Sequence, residues 1–294
     1  MIVRRSDRVL VQGITGKQGT FWTEKMQAYG TTIVGGVNPK KAGETHLGVP
    51  VFGSAADAAR QLQSEGSGVD VSVLFIPPAG ARAAIEDAIA AGVGLIVVLT
   101  EFIPVHDTMA VVAAARAADS RIIGPNTAGV VTPGEAFVGF MPAFDRRIFT
   151  PGRIGVISRS GSLGTLTALE LTAAGMGQSA FVGIGGDPVS GTSTAEAFAA
   201  LDQDDGTDAI VVIGEIGGRK EEDAAALIAA SAKPVVSFIA GAASPPGKRM
   251  GHAGAIVEGA TGTYQSKREA LHNAGATVVS VPWDIPAALA ERLP

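Results

Sequence analysis

Arg8-Val9-Leu10-Val11-Gln12-Gly13-Ile14-Thr15-Gly16-Lys17-Gln18-Gly19 decides the fold. An apolar run leads into glycines spaced G-x-x-G-x-x-G, and a helical pattern from Lys17 to Tyr29 follows. A strand that opens a helix through such a loop presents free backbone N–H groups, which attract phosphate. The glycines let a pyrophosphate come close to the chain. A dinucleotide-type fold is the expectation. NAD binding wants an acidic residue at the end of the second strand, to hold the ribose hydroxyls. Here the second strand, Thr31 to Val37, runs into Asn38-Pro39-Lys40-Lys41-Ala42-Gly43 instead. Lysines there suit a phosphate on the ribose, either that of NADP or that of the 3′-phospho-ADP of coenzyme A. The residues alone do not separate these two, and lysines on a solvated loop read the same way.

Outward from this unit the alternation continues. Helices are expected over Ser54–Glu65, Ala79–Ala91 and His106–Ala118, and strands over Val71–Ile76, Leu95–Leu99 and Arg121–Ile123. Strands apolar throughout and separated by helices indicate a parallel sheet covered on both faces. Between Gly124 and Gly152 glycine, proline and phenylalanine crowd without periodicity, and a domain junction is expected there. The rhythm then restarts with strands at Arg153–Ile157, Ser179–Ile184, Ala209–Ile213, Pro234–Ile239 and Ala276–Val281. Helices at Leu163–Ala174, Thr194–Leu201 and Glu221–Ala230 lie between them. The pattern predicts two successive doubly wound α/β domains, with sites at the carboxyl ends of their strands.

Composition narrows the function classes. The 294 residues are 46% hydrophobic and carry a net charge of −5, so no basic surface advertises nucleic acid or anionic lipid. The absence of cysteine excludes disulfides, thiolate metal sites and a cysteine nucleophile, and no metal ligands are expected. Met1-Ile2-Val3-Arg4-Arg5-Ser6-Asp7 turns charged before any long apolar run, so no signal peptide is read, and no apolar run reaches membrane-spanning length. A cytoplasmic protein is the expectation.

Three stretches carry candidate chemistry. Ser158-Arg159-Ser160-Gly161-Ser162-Leu163-Gly164 is a second glycine loop between a strand and a helix, suited to a phosphoryl group or a carboxylate. There Arg159 is expected to grip the carboxylate with its planar fork. Glu215, in Ile213-Gly214-Glu215-Ile216-Gly217-Gly218, ends another strand among glycines, placed to accept a hydrogen bond from an imidazole N–H. Met250-Gly251-His252-Ala253-Gly254-Ala255-Ile256 surrounds one of four histidines with small residues, so the ring stands open to a reagent. Pro245-Pro246-Gly247 makes that segment a loop, and Lys248 and Arg249 are expected to draw in an anion. Histidine takes and releases a phosphoryl group near neutral pH. Alone the stretch also reads as a small-residue turn; the two anion-binding loops elsewhere favour the phosphoryl site. His46, His106 and His272 read as structural.

Gly13 to Gly19, Gly35-Gly36-Val37, Thr45-His46-Leu47-Gly48, Gly124-Pro125-Asn126, Ser158 to Gly161, Gly183-Ile184-Gly185-Gly186-Asp187-Pro188, Gly214 to Gly218 and Lys248 to Ile256 follow one another along the chain. In that order, and over essentially the whole length, they resemble the α subunit of succinyl-CoA synthetase (succinate–CoA ligase). The resemblance implies a Rossmann-like coenzyme A-binding domain over residues 1–130 and a flavodoxin-like ligase domain over 131–294. It implies catalysis through His252, phosphorylated by ATP or GTP held with Mg on a β subunit of ATP-grasp fold. A dicarboxylic acid then takes the phosphoryl group as an acyl phosphate, and coenzyme A displaces it. Glu215 matches the acid that supports the histidine. Thr15, Gly16, Lys17, Gln18, Gly19, Val37, Lys40, Ile76, Pro77, Pro78, Thr100, Glu101 and Asn126 form the candidate coenzyme A site. Arg159, Ser160, Gly161, Ser162 and Thr165 form the candidate phosphate and substrate site. An αβ or α2β2 assembly follows from the same resemblance.

Two departures bear on the substrate. The family usually has Cys-Pro or Cys-Ala where this chain has Thr127 and Ala128, and a tyrosine where it has Thr165. Succinate is the default acid, with malyl- and citryl-type ligases the alternative; the smaller side chains predict room for an acid bulkier than succinate. A non-catalytic coenzyme A-binding regulator ought to have lost His252 or Glu215, and this chain keeps both. An NADP-dependent oxidoreductase would need a hydride-transfer acid/base that the sequence does not offer. The chain has no G-x-x-x-x-G-K-[ST] loop, so it is not expected to phosphorylate itself.

Overall fold

The computed structural model describes residues 1–245, 251–257 and 261–293; the expected anion-attracting Lys248 and Arg249, with Pro246, Gly247 and Met250, lie outside the described residues. The first sheet is built from β1 (Arg8–Gln12), β2 (Thr32–Val37), β3 (Thr45–His46), β4 (Val49–Phe52), β5 (Val71–Leu74), β6 (Leu95–Val98) and β7 (Arg121–Ile123). Their order is β3-β4-β2-β1-β5-β6-β7, parallel except for the β3–β4 pair. Helices α1 (Lys17–Tyr29), α2 (Ala55–Ser64), α3 (Pro78–Ala90) and α4 (Val105–Ala117) connect them. This is the doubly wound order expected from the opening strand and loop.

Local chemistry explains the helix starts. Ser54 caps α2 by accepting from Asp57 N, and α3 begins on proline, whose missing N–H would be unsatisfied there anyway. Gly16 at the start of α1 has no side-chain cap, so the first-turn N–H groups stay available for a ligand. Gly19 is needed for approach: a Cβ there would stand 2.2 Å from the Gly13 carbonyl oxygen.

The second sheet takes β8 (Gly129–Thr132), β9 (Ala136–Gly139), β10 (Pro151–Ser158), β11 (Gln178–Gly183), β12 (Ala209–Glu215), β13 (Val235–Ala240) and β14 (Thr277–Val279). Its order is β14-β13-β12-β10-β11-β8-β9, with α5 (Gly161–Ala173), α6 (Thr194–Asp202), α7 (Ala225–Ala230), α8 (Tyr264–Asn273) and α9 (Ile285–Ala290) packed around it. The five parallel strands follow the flavodoxin-like order, and the β8–β9 hairpin adds antiparallel to β11. The expected cut after residue 130 falls inside β8, whose partners all belong to the second sheet; the sheets divide across 124–128.

The domains share a core. Val11, Ile14 and Met26 join Phe137, Val156 and Phe181 in one apolar cluster. Tyr29 meets Phe137 edge to face at 5.4 Å, and the Thr31 hydroxyl both donates to and accepts from the Phe137 backbone. Fully burying each such side chain stabilises by about 1.5–3 kcal/mol. Sequence periodicity missed both short hairpins and helices α8 and α9. In α8 only Lys267 and Leu271 are buried, too narrow an apolar stripe to be seen.

Candidate active site

Strand β12 is buried along its whole length and ends on Glu215, whose carboxylate lies beneath the turn that carries His252. That turn is held by two backbone bonds, Gly254 N to Gly186 O at 3.1 Å and Ala255 N to His252 O at 3.1 Å. The Glu215 Oε2 to His252 Nδ1 distance is 2.7 Å. A carboxylate only accepts, so Nδ1 carries the proton and Nε2 keeps its lone pair for a reagent. The hydrogen bond to Glu215 raises the His252 pKa above its ordinary 6.5; burial opposes it, the Glu215 charge adds to it, Arg159 opposes it and Asp187 adds a little.

The ring lies flat on Gly186, where a Cβ would come within 2.3 Å of the imidazole Cγ. The Gly186→Ala chain is therefore expected to push the ring off Glu215. Its half-protonation should fall from the raised value toward 6.5, as read by a histidine NMR titration. An unchanged midpoint would show that the ring tolerates the methyl group.

Arg159 has partners that its sequence window does not show. Its side chain is buried: Nη2 lies 3.1 Å from Glu215 Oε1, and Nη1 donates to Gly217 O at 3.1 Å and to Glu221 Oε1 at 3.4 Å, while the same residue lines a cavity of about 450 Å³ with Lys220, Ala253 and Gly254. The reason is electrostatic. Two carboxylates removed from water need a cation beside them, and breaking such a pair strands a buried charge. Ser160 does cap α5, accepting from Leu163 N, and its hydroxyl contacts that of Ser162 at 3.2 Å. Gly161 and the α5 start stand at the same carboxyl edge of the sheet as Glu215. The Thr165 hydroxyl donates to Gly161 O at 2.8 Å, so its proton is engaged within the helix rather than offered to a substrate. Ala128 is buried close to Gly161, where a Cβ would stand 2.8 Å from the alanine methyl group.

The candidate coenzyme A residues gather along the carboxyl edge of the first sheet. Thr15 to Gly19 follow β1, Val37 and Lys40 lie at the end of β2, Ile76 to Pro78 follow β5, and Thr100 and Glu101 follow β6. Asn38 donates to the Thr15 hydroxyl at 2.6 Å, and exposed Lys40 sits in the turn that follows. Gln18, Ile76, Pro77 and Thr100 line a cavity of about 540 Å³ with a largely apolar wall. Sequence reasoning missed Trp22, Phe75 and Phe140 in that wall; Trp22 falls four residues after Gln18 on α1, and its indole N–H donates to the Gln18 side-chain oxygen Oε1. His46 also gains a partner, the Thr20 hydroxyl at 2.9 Å.

Segment 124–128 joins the two sites. Asn126 N donates to Thr100 O at 3.0 Å on the cavity side, while Asn126 Nδ2 donates to Asp187 Oδ1 at 2.9 Å. Asp187 follows the glycine under the His252 ring, and its carbonyl accepts from Lys220 Nζ at 2.9 Å. Burial lowers the Lys220 pKa to about 8, helped by Arg159. The His252 turn and the apolar cavity are thus linked through one segment and its hydrogen bonds. Thr127 stays buried in it, bonded to Gly183 O and Gly129 N.

These features define a coenzyme A ligase chain: the CoA binding domain family matches residues 4–102 and the CoA-ligase family matches residues 157–277. The succinate–CoA ligase [ADP-forming] α subunit of Methanothermobacter thermautotrophicus is 50% identical over 282 residues, 96% of this chain and 93% of that protein. That of Aquifex aeolicus is 45% identical over 296 residues, 100% of this chain and 94% of its own length. The chain belongs to the succinate–CoA ligase α-subunit family. ATP citrate lyase of Methanosaeta concilii, solved with (3S)-citryl-CoA, shares the fold at a TM-score of 0.89 and 23% identity; all of this chain covers 51% of that one, about half its length.

Proposed function

We propose that this chain is the α subunit of a succinate–CoA ligase that carries the phosphoryl group on His252 Nε2. The observation that carries the reading is the Glu215–His252 bond at 2.7 Å, which fixes the ring through Nδ1 and frees Nε2. A nucleoside triphosphate, ATP or GTP with Mg, supplies the phosphoryl group from a β subunit of ATP-grasp fold, in an αβ or α2β2 assembly. The Nε2 lone pair attacks the γ-phosphorus, and the nucleoside diphosphate leaves. A succinate carboxylate oxygen next attacks that phosphorus, the N–P bond breaks, and succinyl phosphate forms. Its acyl group passes to the thiol of coenzyme A with release of inorganic phosphate. Ser160 caps only Leu163 N, so the backbone N–H groups of Gly161 and Ser162 at the α5 start are left to stabilise the phosphoryl charge. Among the described residues no helix is long and apolar enough to cross a membrane.

Coenzyme A fits the first domain. The uncapped start of α1 offers N–H groups to its phosphates, and the apolar cavity takes its pantetheine arm. Lys40 is assigned to the 3′-phosphate. The Lys40→Ala chain is expected to bind coenzyme A more weakly by up to about 1 kcal/mol, roughly fivefold, because the lysine is exposed. Dephospho-coenzyme A should be unaffected, so calorimetry with both ligands checks the placement. Equal losses for both would move Lys40 away from the 3′-phosphate.

The whole reading is tested by purifying the chain with its β subunit and supplying labelled nucleotide. Acid-labile phosphate is expected on His252 in the complex and none on the isolated chain. Succinate with coenzyme A should discharge it faster than malate or citrate, as in the succinate–CoA ligases that the chain resembles over nearly its whole length. Faster discharge by citrate or malate would shift the assignment to a related ligase, and an unlabelled complex would remove it.

A further inference from the structure

A chain of buried ions runs from the His252 turn to helix α8. Glu215 Oε1 faces Arg159 Nη2 at 3.1 Å, close enough for attraction but not aligned as a hydrogen bond. The Arg159 position is therefore set by the contacts of Nη1, which donates to Gly217 O at 3.1 Å, to Glu215 O at 3.3 Å and, as the other carboxylate among the described residues, to Glu221 Oε1 at 3.4 Å. The same Glu221 Oε1 accepts from the backbone N–H of Glu215 at 3.3 Å. One oxygen thus holds both the counter-ion of Glu215 and its main chain. Glycine at 214 leaves the space, since a Cβ there would stand 2.6 Å from that oxygen. Glu221 Oε2 is in turn bonded to Lys267 Nζ, which also donates to Glu222 Oε2 at 3.0 Å.

Neither Glu221 nor Lys267 has any exposed side-chain surface. Replacing a buried ion pair by packed apolar residues is often neutral or stabilising, so stability alone is a weak reason to keep one. The charge count points elsewhere. Counted with Asp187 and Lys220, which lie within electrostatic reach, Glu215, Glu221, Glu222 and Asp187 carry four negative charges against three positive ones on Arg159, Lys267 and Lys220, one short of neutrality. The group at the open end of this chain is His252.

We propose that Glu221 and Lys267 are positioning residues of the phosphorelay, holding Arg159 and the Glu215 backbone so that the Glu215 carboxylate stays aimed at His252 Nδ1. Burial works to raise the Glu221 pKa, but Arg159 and Lys267 together hold it below the ordinary value, so this carboxylate stays charged. Among the described residues, the charged groups acting on the imidazole are Glu215 from β12, Arg159 from the turn before α5 and Asp187 after β11, with Lys220 after β12 interacting with all three. Without the Glu221 charge, Arg159 turns fully onto Glu215 and draws it from the ring.

The inference rests on His252 as the phosphoryl carrier, and Glu221→Gln tests it. The amide keeps the size, and its oxygen still accepts from Lys267. Two quantities are measured: the half-protonation pH of His252 by ¹⁵N NMR on the full chain, and the phosphorylation rate in the complex with the β subunit. The expected result is a fall of the midpoint toward 6.5 and a rate lowered about 10–100-fold with an unchanged nucleotide KM. Glu221→Gln/Lys267→Met removes one charge of each sign and should give the same midpoint. A purely structural ion chain would lower the melting temperature of these variants while midpoint and rate stay at wild-type values, which overturns the proposal. If the wild-type complex takes no phosphate, the carrier reading fails, while the midpoint in Glu221→Gln still decides whether the ions position Glu215.

Discussion

The His252→Asn chain, assembled with a β subunit, is expected to accept no phosphoryl group and to form acyl-CoA at least about 10⁴-fold more slowly than wild type. The amide nitrogen of asparagine has its lone pair delocalised into the carbonyl, so it offers no nucleophile where the imidazole Nε2 stood. Hydrogen bonding to Glu215 survives through the amide N–H, so the buried carboxylate is not stranded and the fold should hold. Coenzyme A affinity should be unchanged, because the residues assigned to it lie along the other sheet. Labelled-nucleotide incorporation, thioester formation and coenzyme A calorimetry together check this. Phosphate of the same acid lability on the variant would move the carrier to His46, His106 or His272, of which His46 is already bonded to Thr20.

The Glu215→Gln chain should keep its shape and lose most of its relay. The carboxylate is the largest cause of the raised His252 pKa, through its hydrogen bond. Phosphorylation needs the neutral ring, so the wild-type rate should rise with pH through that raised midpoint. Removing the charge moves the midpoint down, so a larger neutral fraction exists near pH 6.5 in the variant. Its rate should nevertheless fall, by about 10–100-fold, because an amide no longer supports the charge that develops on the imidazole during attack. The stability side has a definite sign as well. A raised folded-state pKa contributes stability that is complete below the unfolded value near 6.5 and is lost as pH rises through the folded value. The loss of melting temperature in Glu215→Gln should therefore be greater at pH 5.5 than at pH 9, on top of a constant loss from the Arg159 charge left half-paired. A pH-independent loss, or a rate profile with the wild-type midpoint, would mean that Glu215 does not act on the ring.

How much of this was readable in advance depends on the range of each interaction. The first strand, the glycine loop and α1 are local: apolar β-branched residues, three spaced glycines and a helical period lie within 30 residues, and the structure keeps that order. The same holds for β10, its loop and α5. Glu215 was legible as an acid at a strand end among glycines, and His252 as a ring among small residues. What joined them at 2.7 Å was a separation of 37 positions, which no spacing rule reaches.

The sequence by itself determined two parallel-sheet domains, their loops at the carboxyl edges and the residue types offered to phosphate and imidazole, because propensity, turn chemistry and alternation act over a few residues. The tertiary structure decided which groups face which. Arg159 reads as a substrate clamp, and only folding shows that Glu215 and Glu221 are buried on either side of its guanidinium. Lys267 lies in a polar stretch where the sequence offers no site signal, and folding buries it completely between Glu221 and Glu222. The physical reason is that desolvation and ion pairing depend on neighbours brought together by chain folding, and a charged side chain carries no mark in its own sequence window of whether it will be left in water.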